Sequence, residues 1–173
     1  MKFRIFRFKK VLSTNKTAIR ILKISDFDSG MVVSENQTAG KGQYGKKWIS
    51  LNGNLFVSFF YKLDNLNYTL KQLTKMNALL VKKTLSIYYK GKILFKKPND
   101  LLINKKKLCG ILQETIFYKT KKFVIIGIGI NVDRSPIIVN YPTTYVNFYT
   151  KKKLTNAKIY NEIKKNFEKY IKY

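Results

Sequence analysis

A chain of 173 residues fits one domain with a single core and is too short for two ordinary ones. Its 45% hydrophobic content argues for a globular fold rather than disorder, and no apolar run approaches the ~20 residues needed to span a bilayer. Histidine is absent and Cys109 is the single cysteine, which removes Ser-His-Asp and Cys-His catalysis, histidine or cysteine metal centres and internal disulfides together. Any chemistry must rest on Lys, Arg, carboxylates, hydroxyls and backbone amides, a set suited to stabilising anions rather than shuttling protons.

The net charge of +26 raises nucleic-acid binding as a reading. Yet the arginines are only Arg4, Arg7, Arg20 and Arg134, and the lysines scatter as pairs and triplets such as Lys82-Lys83, Lys105 to Lys107 and Lys151 to Lys153. Lys, Asn, Ile, Tyr and Phe share A/T-rich codons, so the charge reads in part as genome composition. Nucleic acid is therefore kept as the alternative partner, not the main one. A field this positive still steers acidic partners.

Arg4 to Phe8 reads as an opening strand, with neither the apolar core nor the cleavage site of a signal peptide, so the protein reads as cytoplasmic with no membrane anchor. Ser13-Thr14-Asn15 supplies N-cap residues ahead of Ala18, Ile19 and Leu22, a short helix. Met31 to Ser34 is a strand leading into a Gly-rich stretch from Gly40 to Gly45, and Leu55 to Tyr61 is a strongly apolar strand. Leu70, Leu73, Met76, Leu80 and Val81 recur at helical spacing, predicting an amphipathic helix over about 70–88. Ile93 to Lys96, Leu101 to Asn104 and Lys107 to Thr115 are strand-like, with a hairpin turn at Asn104 to Lys106. Phe123 to Val132 is almost continuously apolar around Gly127 and Gly129, the pattern of a central strand approached closely by a ligand or another backbone. From Thr155, Ile159, Ile163, Phe167 and Ile171 fall four apart on a helix that packs on the core. The whole predicts an α+β fold, a mixed or antiparallel sheet flanked by helices, with residues 1–173 forming a single domain.

Gln37-Thr38-Ala39-Gly40-Lys41-Gly42-Gln43-Tyr44-Gly45-Lys46-Lys47-Trp48 is the most informative stretch. Its glycines let backbone amides turn toward an anion and its lysines surround them; the bland reading is a solvated basic hairpin. It is not a P-loop, because Lys47 stands where Ser or Thr must bind magnesium and the chain runs on into a strand rather than a helix. Gly127-Ile-Gly129 likewise lacks the third glycine of a dinucleotide fingerprint, with Val132 in its place.

Taken in order, Ser13-Thr14-Asn15, the Gln37 to Trp48 block, Gly53-Asn54-Leu55, Lys96-Lys97-Pro98-Asn99-Asp100-Leu101, Lys107-Leu108-Cys109-Gly110-Ile111-Leu112 with Glu114, and Gly127-Ile-Gly129-Ile-Asn131-Val132 resemble the biotin–protein ligase family. The resemblance covers about residues 13 to 132. It implies the class II aminoacyl-tRNA synthetase-like catalytic domain of the biotin/lipoate ligases. It also implies ATP with Mg2+ and biotin as reactants, and as partner the biotin carboxyl carrier protein of acetyl-CoA carboxylase or a related carboxylase. Lipoate or octanoate ligation on the same fold is the alternative within the superfamily, and a non-catalytic nucleic-acid-binding module the alternative outside it.

The same resemblance implies roles. Ser13, Thr14, Asn15, Gln37, Lys41, Gly42, Gln43, Lys107 and Gly110 would bind biotin. Gln37 resembles the glutamine that meets the ureido ring, for which an amide offers both donor and acceptor. Lys107, with Lys41, would carry catalysis by drawing the biotin carboxylate and the α-phosphate together. Trp48, Asn99, Asp100 and Asn131 would lie near the nucleotide, with Asp100 a candidate for Mg2+ or for orienting Lys96. Without the resemblance, Lys107 is one more turn lysine, Trp48 a core residue and Pro98-Asn99-Asp100 an ordinary turn.

The chain departs from the family at Lys41, Gln43, Tyr44 and Lys46, where arginines are usual. A lysine is a point charge, not a bidentate fork. Lys97 stands where the family has a tryptophan, removing an aromatic wall. No helix-turn-helix region precedes residue 13, so a repressor role is not expected. The roughly 40 residues after Val132 have room for closing strands and a helix, with the small C-terminal barrel of many bacterial members truncated or missing.

Overall fold

The computed structural model describes residues 1–25, 27–63 and 68–171. Along the chain it places β1 (Arg4–Val11), α1 (Thr14–Ile24), β2 (Ser29–Gln37), β3 (Leu55–Lys62), α2 (Leu70–Tyr88), β4 (Ile93–Lys96), β5 (Asp100–Ile103), β6 (Lys106–Tyr118), β7 (Lys121–Ile130) and α3 (Asn156–Tyr170). Short 3₁₀ turns occupy Gln43–Gly45 and Val146–Phe148. The strands form one sheet in the order β1-β2-β3-β7-β6-β5-β4; β1 and β2 run parallel and every other pair is antiparallel. This is the mixed, helix-flanked sheet that the sequence predicts.

Helix α2 begins where the sequence signals it. The Thr69 hydroxyl accepts from the Gln72 backbone N–H and the Gln72 side-chain oxygen accepts from Thr69 N–H, a reciprocal capping box. Its inward stripe differs in detail from the expected one: Leu70 is exposed, Met76 half-buried, and Asn77, Ala78, Thr84 and Leu85 join Leu73, Leu80 and Val81 inside. Ile159, Ile163, Phe167 and Ile171 are all buried, as their spacing requires. Asn166 Nδ2 donates to Thr84 Oγ1 at 2.8 Å between α3 and α2, and the Phe167 ring stacks on Phe59 with centroids 4.4 Å apart.

Strand β7 lies in the middle of the sheet, covered on both faces, which accounts for its unbroken apolar run. Val124, Ile126, Ile128 and Ile130 enter the large core under α2 and α3. Phe123 and Ile125 point the other way, into a smaller cluster with Ala18, Ile21, Leu22, Val32 and Phe60 under α1. On that same α1 face the next two positions of β7 are Gly127 and Gly129, and side chains give way to space.

The β5–β6 hairpin turns at Asn104 and Lys105, both left-handed (φ 49° and 62°), the conformation that suits the twist of a two-residue turn. Closing strands are not found after β7 among the described residues. Pro136 and Pro142 deny that segment backbone donors, and it is clamped instead to the start of β6 by Lys107 N–H to Pro142 O and Thr144 N–H to Lys107 O, each 2.9 Å. Asn54 knots the other end of the segment. Its buried Oδ1 accepts from the backbone N–H of Val132, Asp133 and Arg134 at 2.9, 3.2 and 3.3 Å. Replacing Asn54 by Ala strands these donors and should cost about 3 kcal/mol, lowering the thermal midpoint by on the order of 10 °C; calorimetry checks this.

Candidate active site

Three rungs of the sheet build the floor of the site. The first is Phe56–Gly129–Gly110, the second Ser58–Gly127–Leu112, the third Phe60–Ile125–Glu114, each set directly paired across β3, β7 and β6. Trp48 fills the space that the first rung leaves. A Cβ on Gly129 would come within 2.5 Å of the indole, and one on Gly110 within 2.7 Å. Asn15 occupies the second rung in the same way, its amide seated where a Gly127 side chain would be. Helix α1 covers the third. The close approach expected at Gly127 and Gly129 is thus made by two side chains.

Strand alternation alone would put Lys107 and Gly110, three apart, on opposite faces. A β-bulge between Leu101 and Leu102 of β5 and the start of β6 shifts the register, so that Leu102 pairs with Lys107 and Leu101 with Cys109. The bulge buries Leu108 and Cys109 in succession and turns Lys107 onto the Gly110 side, where its Cε lies 3.5 Å from a Cβ placed on that glycine. There its ammonium is 2.9 Å from Asp100 Oδ1, with both side chains mostly buried. The contact is an ion pair rather than an aligned hydrogen bond, since the same oxygen has no hydrogen-bond donor. The rings of Trp48 and Tyr141 flank the ammonium, with centroids at 5.6 and 5.3 Å. Asp100 therefore orients Lys107, not Lys96. Burial pushes the adjacent Cys109 thiol far up, and Asp100 adds to this while Lys107 opposes it. Cys109 is an inert core thiol.

Residues 40–48 form the roof, a hairpin. Trp48 N–H donates to Gly40 O at 3.0 Å, Gly42 N–H to Lys46 O at 2.6 Å, and Lys41 bridges Lys47. Tyr44 at the tip is left-handed (φ 54°) and exposed. Floor and roof enclose a cavity of about 250 Å³. Ser13, Thr14, Asn15, Gln37, Lys41, Gly42, Gln43, Trp48, Asn99, Asp100, Lys107 and Gly110 all line it, so every residue singled out from the sequence except Asn131 reaches one space. Asn131 lies next door, on a smaller cavity of about 20 Å³ that shares Trp48, Lys107 and Tyr141. Its amide is engaged inside the protein, donating to Thr144 O at 3.0 Å and accepting from Asn54 at 3.4 Å.

At the α1 end, Ser13 is the N-cap but its hydroxyl makes no capping bond. Gln37 caps instead, its Oε1 accepting from Thr14 N–H at 2.8 Å and Thr14 Oγ1–H at 3.0 Å, while its Nε2 donates to Ser50 at 3.2 Å. Asn99 ties the β4–β5 turn to β6 through Nδ2 to Ile111 O at 2.9 Å. Sequence reasoning missed Tyr141, which arrives from an irregular segment with no periodicity to flag it. It also left Glu114 and Ser58 without a role.

Among the described residues, six lysines (41, 46, 47, 96, 97 and 107) and one carboxylate, Asp100, line the cavity. Such a charge balance attracts anions of several negative charges. Among the described residues no group of three or more Cys, Asp or Glu could cage a metal by itself, and no helix is long and apolar enough to cross a membrane.

Residues 8–131 match the biotin/lipoate A/B protein ligase family. The chain is 36% identical over 126 residues to the bifunctional ligase/repressor BirA of Bacillus subtilis, covering 72% of this chain and 39% of that protein. It thus spans about two fifths of the length of that relative. Biotin protein ligase from Aquifex aeolicus in complex with biotin and ATP superimposes with a TM-score of 0.81 at 28% identity, over 96% of this chain and 69% of that one. The Leishmania major biotin protein ligase in complex with biotin shares the fold, with a TM-score of 0.84 at 24% identity over 94% and 72% of the two chains. The chain belongs to the biotin/lipoate A/B protein ligase family.

Trp48 is the single tryptophan, so its fluorescence reports on the floor directly. Gly129→Ala should displace the indole, shift its emission to the red and weaken ligand binding by at least about tenfold, with far-UV circular dichroism unchanged. An unshifted emission would show that Trp48 does not rest on Gly129.

Proposed function

We propose that this chain is the catalytic domain of a biotin–protein ligase. It joins biotin to ATP as biotinyl-5′-adenylate and passes the biotinyl group to a lysine of a biotin carboxyl carrier protein. The observation that carries this reading is the meeting of the Gly40–Lys47 hairpin and Lys107 around one glycine-floored cavity. At about 250 Å³ the cavity lies just under the roughly 300–1,000 Å³ of ordinary small-molecule pockets. That suits a compact acid held inside, with the nucleotide toward the lysine-rich mouth.

In the first step the biotin carboxylate attacks the α-phosphorus and pyrophosphate leaves. Two anions must approach each other, so a fixed cation between them lowers the barrier most. Lys107 fits that task because its position is set in advance by Asp100, Trp48 and Tyr141. Lys41, on the roof, brings a second charge from above. Gln37 has spent its oxygen on Thr14 and one amide hydrogen on Ser50, which leaves an N–H for the ring carbonyl of biotin, while the Thr14 hydroxyl can accept from a ring N–H. With the hairpin over it, the mixed anhydride is shielded from water. In the second step the carrier amine attacks the acyl carbon and AMP leaves. No enzyme side chain becomes covalently attached, so the absence of histidine costs nothing.

Mg2+ arriving with the nucleotide would supply neutralisation of phosphate charge. Asp100, the one lining carboxylate, is the residue that would approach it, and a single carboxylate is an ordinary protein contribution to such a site.

Lys107→Ala should reduce biotin-dependent ATP–pyrophosphate exchange by about 10²–10³-fold. Mass spectrometry of the carrier should show the biotinyl adduct with the unaltered chain and lose it with the variant. Undiminished exchange would remove Lys107 from the reaction. Lipoate competing with biotin for exchange would favour the lipoate reading, and salt-sensitive nucleic-acid binding without exchange the non-catalytic one.

A further inference from the structure

Both ends of the Asn15 amide are held inside the protein, and neither Nδ2 hydrogen is left for a ligand. Its Oδ1 accepts from Ser58 Oγ–H at 2.5 Å, and its Nδ2 donates to Glu114 Oε2 at 2.6 Å and, more loosely, to Leu112 O at 3.5 Å. The three partners come from β3 and β6, on either side of the glycine that Asn15 covers. Ser58 and Asn15 are buried, and the bond to Glu114 is charge-assisted, the stronger kind. An amide fixed from both sides is a wall, not a recognition group.

The place of this wall gives it a consequence. Along the α1 face of β7 the sequence is Gly129 under Trp48, Gly127 under Asn15, then Ile125 and Phe123 under the apolar residues of α1. Asn15 therefore stands between the polar cavity and the small apolar cluster of Ala18, Leu22, Phe60, Ile125 and Phe123. A linear acyl chain lying along the glycine groove would have to pass through the Asn15 position to reach that cluster.

We propose that Asn15 is the inner end-stop of the acid-binding slot, and that Ser58 and Glu114 are the positioning residues that lock it there. The lock selects a compact ring-bearing acid over a long unbranched one. This inference rests on the ligase reading and adds to it a source of acid specificity within the superfamily. Burying a polar amide across the path of an apolar chain is an effective barrier, because displacing it would strand the Ser58 donor and the Glu114 carboxylate.

The test measures binding of biotin and of octanoate by calorimetry, and pyrophosphate exchange with each acid, in the unaltered chain and in Asn15→Ala, Ser58→Ala, Glu114→Ala and Glu114→Gln. Asn15→Ala should raise the octanoate-to-biotin ratio of kcat/KM and of affinity by at least about tenfold. Ser58→Ala and Glu114→Ala should each move it the same way by less, while Glu114→Gln, which keeps an oxygen acceptor for the Asn15 amide, should stay near the starting ratio. A purely structural role would lower both acids together and leave the ratio fixed. Biotin binding in the unaltered chain with an unmoved ratio in the folded variants, Ser58→Ala included, overturns the end-stop alone. Binding of neither acid to the unaltered chain overturns the ligase reading and this inference with it.

Discussion

Across β6 and β7, Gly110, Gly127 and Gly129 open a gap on one face of the sheet, beside positions there that carry side chains such as Leu112, Ile125 and Glu114. Glycine in a strand interior weakens it by loss of packing and by backbone entropy, about 0.5–1 kcal/mol relative to alanine. The strands tolerate it because their opposite face is packed against α2 and α3 by Ile126, Ile128, Ile130 and Ile111. What the gap admits is more specific than empty space. The Trp48 indole and the Asn15 amide lie on it, one apolar and broad, the other polar and held from both strands, and between and around them the cavity takes its shape.

The electrostatics follow from that floor. A lysine free in solution around a cleft is a mobile, hydrated charge that gains little from any one geometry. Lys107 differs because the bulge, the Asp100 carboxylate and two aromatic faces restrict it from four directions. Of the six lysines lining the cavity it alone has an ion-pair partner among the described residues. The others supply field; Lys107 supplies a place. Preorganisation of this kind matters most in a site where neither nucleophile nor leaving group belongs to the enzyme.

Much of the fold was legible because local signals agreed with the global ones. The spacing of Leu73, Leu80 and Val81 identifies α2, and the apolar run from Phe123 identifies the central strand. The spacing of Ile159, Ile163, Phe167 and Ile171 gives the packed face of α3. The ends of β1 and β6 were not legible, since Lys9-Lys10 and Ile116 to Tyr118 show no alternation of apolar and polar residues and are strands because β2 and β7 pair with those strands. In the site, the family blocks pointed to the residues but not to their connections. A bulge leaves no mark beyond two successive buried residues, so the Lys107–Asp100 pairing could not be read. Tyr141 had no signal, lying between two prolines in a segment held by backbone bonds to β6. Asn131, placed by resemblance near the nucleotide, is an internal tie whose amide is used by Asn54 and Thr144.

The lysine-for-arginine departures in the roof can be weighed against this geometry. The path of the hairpin is set by its backbone. Gly40 approaches the Trp48 carbonyl so closely that a Cβ there would sit 2.7 Å from it, and the bonds between Gly40 and Trp48 and between Gly42 and Lys46 close the turn without side-chain help. Exchanging Arg for Lys at 41 and 46 therefore leaves the shape of the roof in place and changes what it offers: point charges instead of planar forks. Directional grip on a carboxylate or phosphate then falls more heavily on the floor, where Lys107 is held rigid and Gly110 and Gly129 keep the indole beside it. In the proposed ligase a lysine roof would leave orientation to the floor, and the floor is the part of this chain that the sheet fixes most firmly.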